Sequence, residues 1–385
     1  MVGGERALSA PRIQKTIWSN FDLPLLCVTV LLILIGEVMI YSSYEASLPT
    51  VGQNLWENTV FRQGVFAAVG LVFHMGIAAL DYHVLISLRR WLYVLVVGIL
   101  FSTLAIGHIS FGARSWVSVQ AFLVQPAELC KVLMIIVLAG QLGQDPEGLQ
   151  GPIPFLLSAL SVIVPVFLIY SQPDFGTALV VFATWVGMSF LAGVRWRHML
   201  LLGIVGLIAA PLLWSRLEGY MRDRVVIFLS PDQDPSGASY NVTQALISIG
   251  SGGWWGKGLR HGTQSQLHFL RVRHTDFIFS VLAEELGFVG SLVVLGLFVF
   301  LILRLLRIAA LARDGCGRLI AAGGATMLLT QAFINLGMNA NLLPVTGLPL
   351  PLVSYGGSSL MTTLLALGLA QSVVMRHRSA RSTLL

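Results

Sequence analysis

A small set of ionisable residues lies within or beside long apolar stretches of this sequence. They are Glu37, Glu128, Lys131, Asp174, Asp276, Glu284 and Glu285, with Arg114 just outside such a stretch. A charged group in an apolar segment is costly unless it is paired or faces a polar cavity, which makes each of these residues a hypothesis for function. In such a cavity a carboxylate can serve as a general base, and lysine or arginine can hold an anionic group.

Each of these residues also has a structural interpretation. Glu128 follows Pro126 and suits the first turn of a helix, where a carboxylate meets the positive end of the helix dipole. Lys131 lies three residues later on the same face and is placed to pair with Glu128. Asp276 follows Thr275 in a pattern typical of a capped helix start. For Glu284 and Glu285 we favour the structural interpretation, and for Glu37, near the middle of its apolar stretch, no partner can be named.

Two further segments have the composition of loops. Residues 172–177 (QPDFGT) form a turn between apolar runs, from which Asp174 projects. Residues 339–359 contain three prolines and no charge, and non-helical backbone at membrane depth persists only where it is buried in protein or lines a wet cavity. The run 354–359 (SYGGSS), which includes Ser358, leads into a helix and exposes N–H groups that suit a phosphate. Close packing of small residues is the alternative.

The composition indicates that most of the chain lies in a membrane. Hydrophobic residues make up 56% of the 385, charged residues only 11%, and mean hydropathy is +0.80. Soluble domains have about 25% charged residues. We therefore predict an all-α polytopic membrane protein with ten transmembrane helices, because ten apolar runs have spanning length. The runs are 23–42, 61–80, 91–108, 123–142, 153–171, 176–193, 198–214, 277–303, 319–340 and 356–375.

The basic residues predict the orientation of these helices. Ten spans place both termini on one side, and fourteen lysines and arginines fall in the tails and loops of that side, against Arg62 and Arg114 in the short loops opposite. The positive-inside rule then puts both termini in the cytoplasm of an inner membrane protein. The ends at which Glu128, Asp174 and Asp276 lie are extracytoplasmic, which predicts a polar cavity open to that face.

The domain organisation follows from the same pattern. We predict a cytoplasmic tail over residues 1–22, a membrane domain over 23–375 and a second cytoplasmic tail over 376–385. Residues 215–275 form a large extracytoplasmic loop between helices 7 and 8, rich in Gly, Trp and Arg. Within it, residues 250–258 resemble a nucleotide-binding loop only by their glycine count. The three cysteines are widely separated and indicate neither a disulfide framework nor a zinc site.

Several segments together resemble the SEDS family (shape, elongation, division and sporulation). They are 112–116 (GARSW), 125–131 (QPAELCK), 172–177, 274–279 (HTDFIF) with 283–287 (AEELG), and 343–359, and their order and spacing agree with the family over about 23–376. The HTDFIF and SYGGSS segments are highly specific in combination. The short N-terminal tail resembles the elongation branch of the family more than the division branch.

This resemblance implies a bacterial peptidoglycan glycosyltransferase that polymerises lipid II into β-1,4-linked glycan strands at the outer leaflet. It also implies a divalent cation, Mg²⁺ or Mn²⁺, and a class B penicillin-binding protein as activator and crosslinking partner. On the family pattern, Asp276 matches the essential catalytic aspartate. Trp116, Arg114, Glu128 and Lys131 match positions in the functional cavity, and Asp174 lies in the matching outer turn.

The implied reaction joins the C4 hydroxyl of an acceptor sugar to C1 of a donor that leaves as a polyprenyl diphosphate. Asp276 is the candidate base, and it is a possible ligand of the cation. Arg114 and Lys131, with the cation, are candidates to stabilise the diphosphate. One departure from the family is that Arg271 and Arg273 stand where many members have Pro-Glu. This removes an acid from that position and adds basic charge beside the proposed site.

Other functions remain open at this stage. A transporter or flippase of lipid-linked precursors would also use ten helices and intramembrane charges, although no internal repeat is evident. A non-catalytic scaffold for the penicillin-binding partner is a second alternative. A ligase that transfers a lipid-linked glycan to another acceptor shares the chemistry, and only the family motifs favour peptidoglycan.

Overall fold

The computed structural model describes residues 18–44, 55–110, 113–119, 122–144, 151–216, 219–229, 238–267, 269–270 and 274–377. Most of them are helical, and each of the ten predicted apolar segments is occupied mainly by a helix. The helices are α1 Leu23–Tyr44, α2 Thr59–Ala79, α3 Tyr82–Ser87, α4 Arg89–Ile106, α5 Pro126–Leu142, α6 Pro152–Tyr170, α7 Phe175–Leu191, α8 Trp196–Arg216, α9 Gly219–Leu229, α10 Ala238–Ser251, α11 Thr263–Gln266, α12 Ile278–Leu311, α13 Gly315–Asn339 and α14 Gly357–His377, with a 3₁₀ turn at Leu55–Glu57.

Among the described residues, six helices are long and apolar enough to cross a membrane, namely α1, α2, α6, α12, α13 and α14. Two shorter apolar helices cover Phe175–Leu191 and Trp196–Ala209. The chain is therefore a multi-pass, mostly helical membrane protein.

Short polar side chains and prolines fix where several helices begin. The Asp22 carboxylate accepts the Leu25 N–H at 3.0 Å at the start of α1. Asn58, Asp174 and Asp314 accept backbone N–H groups in the same way before α2, α7 and α13. Such oxygens satisfy donors that a helix cannot satisfy itself. The starts of these four helices are thus specified locally.

Three short strands connect α4 to α5 and depart from the all-helical prediction. β1 (His108–Ser110), β2 (Ala113–Val119) and β3 (Phe122–Val124) form an antiparallel sheet in the order β1-β2-β3. Their residues begin with the last residue of the third apolar run and include the first two residues of the fourth. Hydropathy alone did not separate them from the adjoining helices, because short apolar strands and helix ends look alike over so few residues.

The helix that follows Asp276 is broken near its start. Gly287 in α12 has φ 68° and ψ −166°, and residues 253–258 of the preceding loop enter the break. Lys257 and Gly258 donate N–H bonds to the Glu284 and Glu285 carbonyls, both at 3.0 Å, and Phe288 and Val289 donate to the Gly253 and Trp254 carbonyls at 2.8 and 3.1 Å. A Cβ on Gly287 would lie 2.2 Å from the Gly256 nitrogen. The glycine-rich run is thus a helix-docking segment and not a nucleotide loop.

Among the six helices of membrane-spanning length in the described part of the chain, α13 and α14 are the most buried, and they form the centre of the bundle. Helix α14 packs against α2, and α13 packs against α5, α7 and α12. The non-helical segment between them is buried as well, with Leu348, Leu350, Leu352 and Val353 all at most 3% exposed. Of the two settings predicted for irregular backbone at this depth, burial in protein and the lining of a wet cavity, these four residues show the first.

Candidate functional site

The candidate site is built around the turn His274–Phe277, which leads into α12. Three successive carbonyls of this turn are hydrogen-bonded to the buried segment and to α13. The His274 carbonyl accepts the Tyr355 N–H at 2.9 Å, and the Thr275 carbonyl accepts the Ser354 hydroxyl at 2.6 Å. The Asp276 carbonyl accepts amide N–H groups from Asn335 and Asn339, at 3.0 and 2.9 Å. These bonds fix the backbone from which the Asp276 carboxylate projects.

The Asp276 carboxylate is half-buried and is not a helix cap. The cap position of α12 is Phe277, which makes no side-chain cap bond, so the structural interpretation of Asp276 as a capping residue is wrong. Phe277 instead packs in a small buried cluster with Ala245 of α10 and Leu270. The large loop therefore supports the Asp276 turn from one side, and α13 supports it from the other.

Arg224 of α9 lies beside Asp276. Its Nη1 donates to the Val345 carbonyl at 3.0 Å. A Cβ added to Gly347 would lie 3.8 Å from Asp276 Oδ2 and 3.9 Å from Arg224 Nη1, so both charged groups border the same glycine. Gly347 has φ 78°, which other residues adopt only with strain. Arg224 also lines a cavity of about 40 Å³ between α9, α10 and residues 341–345.

The surroundings of Asp276 determine its protonation. Burial raises the pKa of Asp276 to about 6, and the Arg224 charge and a hydrogen bond from Thr275 oppose that rise. A carboxylate with this pKa is mostly ionised near neutral pH, yet it is more basic than an exposed aspartate. This is the range in which a general base works best.

A second group of predicted residues meets where α5, α7 and α14 begin. The Gln125 side-chain amide donates to Asp174 Oδ2 at 2.5 Å, and the Gln125 N–H donates to the Ser358 hydroxyl at 3.1 Å. Asp174 also caps α7 by accepting the Thr177 N–H at 3.0 Å. Burial raises the pKa of Asp174, and the nearby Glu128 adds to the rise, while the Thr177 hydrogen bonds and Lys131 oppose it.

Glu128 and Lys131 form a buried ion pair one turn inside α5. The Lys131 ammonium lies 2.8 Å from each Glu128 oxygen and donates to Gln331 Oε1 at 2.9 Å. Gln331 in turn donates to the Pro349 carbonyl at 3.1 Å and to the Ser359 hydroxyl at 3.2 Å. Both charged side chains are at most 3% exposed. The pairing anticipated from their spacing is therefore present, and it braces the buried segment.

The remaining predicted residues differ in how far the structure describes them. Trp116 is half-buried in β2, opposite His108. Arg114 belongs to the same strand, but its side chain lies outside what the structure describes, and Arg271 and Arg273 lie outside the described residues altogether. The binding roles assigned to these three arginines stay predictions.

Three of the intramembrane acids do not join the Asp276 site. Glu284 accepts the Lys257 ammonium at 2.8 Å and the Gln264 and Ser265 N–H groups at 3.0 and 3.2 Å. Glu285 accepts the Ser42 hydroxyl. Glu284 thus holds the loop that enters the α12 break, and Glu285 joins α12 to α1. Both acids have structural partners, although both are buried and not interfacial. Glu37 is half-buried, and an added Cβ on Gly64 would lie 4.0 Å from its Oε1.

Several hydrogen-bonding groups of the SYGGSS run already bind other parts of the protein. The Tyr355 N–H binds the His274 carbonyl, and the Gly356 N–H binds Gln63 Oε1 at 3.2 Å. The Ser354 hydroxyl accepts the Leu350 N–H at 2.8 Å. In this structure the first half of the run orders the Asp276 turn, which limits the predicted anion-binding role to the N–H groups from Gly357 onward.

Several residues that shape the site were not anticipated. Gln331, Asn335 and Asn339 recur every four residues along one face of α13, and all three are fully buried. A polar row at helical spacing in an apolar segment is a signal that could have found them. Arg224 offered no comparable signal, because an arginine in a long polar loop is ordinarily solvated.

The donor set around Asp276 limits how a divalent cation would bind. Among the described residues no three His, Cys, Asp or Glu side chains lie close enough together to form a metal site. Mg²⁺ is commonly held by one or two carboxylates and substrate phosphates. Asp276 is a carboxylate of the kind that binds Mg²⁺, and its role as a cation ligand stays a prediction.

A multi-pass helical bundle in which Asp276, Asp174, Glu128 and Lys131 lie at or near the starts of their helices defines a membrane protein with a polar site near one end of its helices. The chain matches, over residues 23–379, the family described as cell cycle protein, which comprises FtsW, RodA and SpoVE. It is 39% identical over 369 residues to the peptidoglycan glycosyltransferase MrdB of Escherichia coli K12, covering 94% of this chain and 95% of that protein.

Solved structures agree with this match. A chain of a peptidoglycan synthase complex that coordinates polymerization and crosslinking is 33% identical, with a TM-score of 0.79, and the match covers 93% of this chain and 98% of that one. The rod shape determining protein RodA of Thermus thermophilus is 33% identical with a TM-score of 0.67, covering 94% and 98%. The chain belongs to the SEDS family of FtsW, RodA and SpoVE.

Proposed function

We propose that this protein is a peptidoglycan glycosyltransferase that polymerises lipid II into β-1,4-linked glycan strands during cell elongation. Family membership and the names of its relatives support the activity. The observation that carries the proposal is the Asp276 carboxylate, held by backbone bonds on three consecutive residues and bordered by Arg224.

In the proposed reaction the Asp276 carboxylate accepts the proton of the acceptor C4 hydroxyl as that oxygen attacks C1 of the donor. The bond from C1 to the diphosphate oxygen breaks, and the leaving group departs as the polyprenyl diphosphate. Arg224 binds the diphosphate and keeps Asp276 ionised by its charge. Arg114, Arg271 and Arg273 are proposed as further diphosphate contacts.

A divalent cation, Mg²⁺ or Mn²⁺, belongs to the same proposal. Asp276 would hold it together with the diphosphate, and the bound cation would neutralise negative charge on the leaving group. Glu128, Lys131, Asp174 and Ser358 act differently, because their side chains already bind one another and neighbouring backbone. We propose that they position the ends of α5, α7 and α14 around the substrate.

The cellular setting follows from the charge pattern. Ten spans, cytoplasmic termini and an extracytoplasmic Asp276 in the inner membrane are the arrangement that the positive-inside rule favours. A class B penicillin-binding protein is the proposed partner, supported by the similarity to a chain of a complex that coordinates polymerization with crosslinking.

The test is polymerisation of purified lipid II in detergent by the wild-type chain with its partner, with and without EDTA. Asp276→Asn should yield no glycan strands while it still purifies as a folded complex. Normal strand lengths from Asp276→Asn would overturn the assignment of the base. A wild-type complex that moves lipid II across vesicles but makes no polymer would favour the transporter.

A further inference from the structure

A second polar cavity lies at the opposite end of the bundle from Asp276. Its volume is about 180 Å³, far more than the roughly 15 Å³ that one water needs. It is bounded by the start of α1, the end of α12 and one residue of α14. The lining residues are Asn20, Phe21, Asp22, Leu23, Pro24, Arg304, Arg307, Ile308, Leu311 and Val374. Since 31 residues of mostly helical chain separate Arg307 from Asp276, the two sites are on the order of 40 Å apart.

One wall of this cavity is a fixed ion pair. Arg304 Nε donates to both Asp22 oxygens, at 3.0 and 2.9 Å, and its Nη2 lies 2.9 Å from Asp22 Oδ2. The same carboxylate caps α1. The Asp22 carboxylate therefore fixes the orientation of the Arg304 guanidinium and largely balances its charge.

Arg307 gives the cavity its net positive charge, because Asp22 balances only Arg304. It is exposed and lies three residues after Arg304, on the same side of α12. Together Asp22, Arg304 and Arg307 carry one net positive charge. An arginine fork of this kind binds phosphate oxygens in pairs.

Apart from Asn20, the rest of the lining is apolar, with Leu23, Pro24, Ile308 and Leu311 beside the charged groups. A cavity with a cationic side and an apolar side matches a ligand that is anionic at one end and hydrocarbon at the other. A free phosphate would use only half of it.

We propose that this cavity binds the headgroup of an anionic phospholipid, with the phosphodiester on Arg307 and the exposed edge of Arg304 and the first acyl carbons along Leu311. In the orientation proposed above, the lipid belongs to the inner leaflet, where basic pockets between helices bind such headgroups. The site is separate from the proposed glycosyl transfer, so it stands or falls independently of that function.

Native mass spectrometry of the detergent-purified chain can test this proposal by titration with phosphatidylglycerol and with phosphatidylcholine of the same acyl chains. We expect the wild type to bind phosphatidylglycerol about fivefold more tightly, and Arg307→Gln to abolish the preference. Arg313→Gln is the matched control, because Arg313 is also exposed just beyond α12 but does not line the cavity. It should keep the preference.

Three results would overturn the proposal. Equal binding of the two lipids by the wild type would mean that the cavity does not recognise anionic headgroups. An equal loss in Arg307→Gln and Arg313→Gln would mean that general surface charge attracts the lipid. Displacement of the lipid by millimolar inorganic phosphate would make the cavity a site for free anions. Strand synthesis by Arg307→Gln in uncharged detergent should match wild type, which shows that the variant is folded.

Discussion

Single side chains control the reactivity of the proposed site through their influence on Asp276. Partial burial raises its pKa to about 6, and Arg224 works against that rise. Since only the ionised carboxylate can accept a proton, the rate depends on the balance between these two effects. Asp276 and Arg224 can therefore be tested by pH as well as by loss of activity.

The first prediction concerns the pH profile of the wild-type complex. A general base with a pKa of about 6 is lost by protonation as the pH falls through that value, so kcat/KM should decline below about pH 6 and level off above it. Initial rates of lipid II polymerisation from about pH 5 to about pH 8 would measure this. A rate that stays constant below pH 6 would show that Asp276 is not the base that titrates.

The second prediction concerns Arg224→Gln. Because the arginine charge lowers the pKa of Asp276, its removal should raise that pKa and move the acid limb of the profile to higher pH. Arg222→Gln is the control, since Arg222 is equally half-buried on the same helix. An unmoved acid limb in Arg224→Gln would contradict the electrostatic coupling, whatever happened to the maximal rate.

The third prediction separates the two interpretations of Lys131. In Lys131→Met the buried Glu128 loses its counter-charge, which costs about 3–5 kcal/mol when one partner of a buried pair is removed. The double variant Glu128→Gln/Lys131→Met should recover much of that loss. Thermal unfolding of the detergent-solubilised protein measures the stability of the single variant and of the double variant. If Lys131→Met kept its stability and lost only its affinity for lipid II, Lys131 would be a substrate ligand and not a brace.

At the scale of helices and loops, the site depends on one buried polar row. Asn335 and Asn339 of α13 bind the Asp276 carbonyl, and Asn335 also donates to the Leu348 carbonyl at 2.7 Å. The row thus joins the start of α12 to the non-helical segment before α14. Four-residue spacing on a rigid helix keeps these amides in register, which loops alone could not do.

The fourth prediction is that Asn335→Leu lowers kcat more than it changes KM. The variant leaves two backbone carbonyls short of a donor, each at a cost of about 1–3 kcal/mol, and loosens the turn that carries Asp276. Gln371→Leu is the matched control, since Gln371 is fully buried on α14 and its amide has no hydrogen-bond partner within the described part of the chain. Kinetics of strand synthesis with both variants would show whether the effect is specific. A kcat for Asn335→Leu no lower than that of the control would contradict the positioning role.

The sequence could predict features that depend on residues close together in the chain, and it could not predict contacts between distant segments. Apolar runs, the helix start at Glu128 and the pairing of Glu128 with Lys131 depend on neighbouring residues, and these predictions agree with the structure. The cap predicted at Asp276 does not. The docking of residues 253–258 into the break at Gly287 joins segments about 30 residues apart, and nothing in the local pattern indicates it. Arg224 was missed for the same reason, because only the folded loop brings it to Gly347.

At the scale of the whole molecule, two groups of exposed tryptophans support the proposed orientation in the membrane. Trp254 and Trp255 are exposed on the loop that enters the α12 break, and Trp91 and Trp196 are exposed near the starts of α4 and α8. Tryptophan is enriched at both interfaces of a bilayer. The second group lies beside the basic residues Arg90 and Arg195, which agrees with a cytoplasmic location for that end.

The fifth prediction tests this orientation directly. In a Cys27→Ser background, chosen because Cys27 is the exposed native cysteine, Trp255→Cys should react with a membrane-impermeant maleimide in intact spheroplasts. Arg313→Cys should react only after the membrane is opened, because the positive-inside rule keeps the loop between α12 and α13 in the cytoplasm. Retained strand synthesis would show that both variants fold. Labelling of Arg313→Cys in intact cells would reverse the orientation. Asp276 would then face the cytoplasm, and the proposed polymerisation at the outer leaflet would fail.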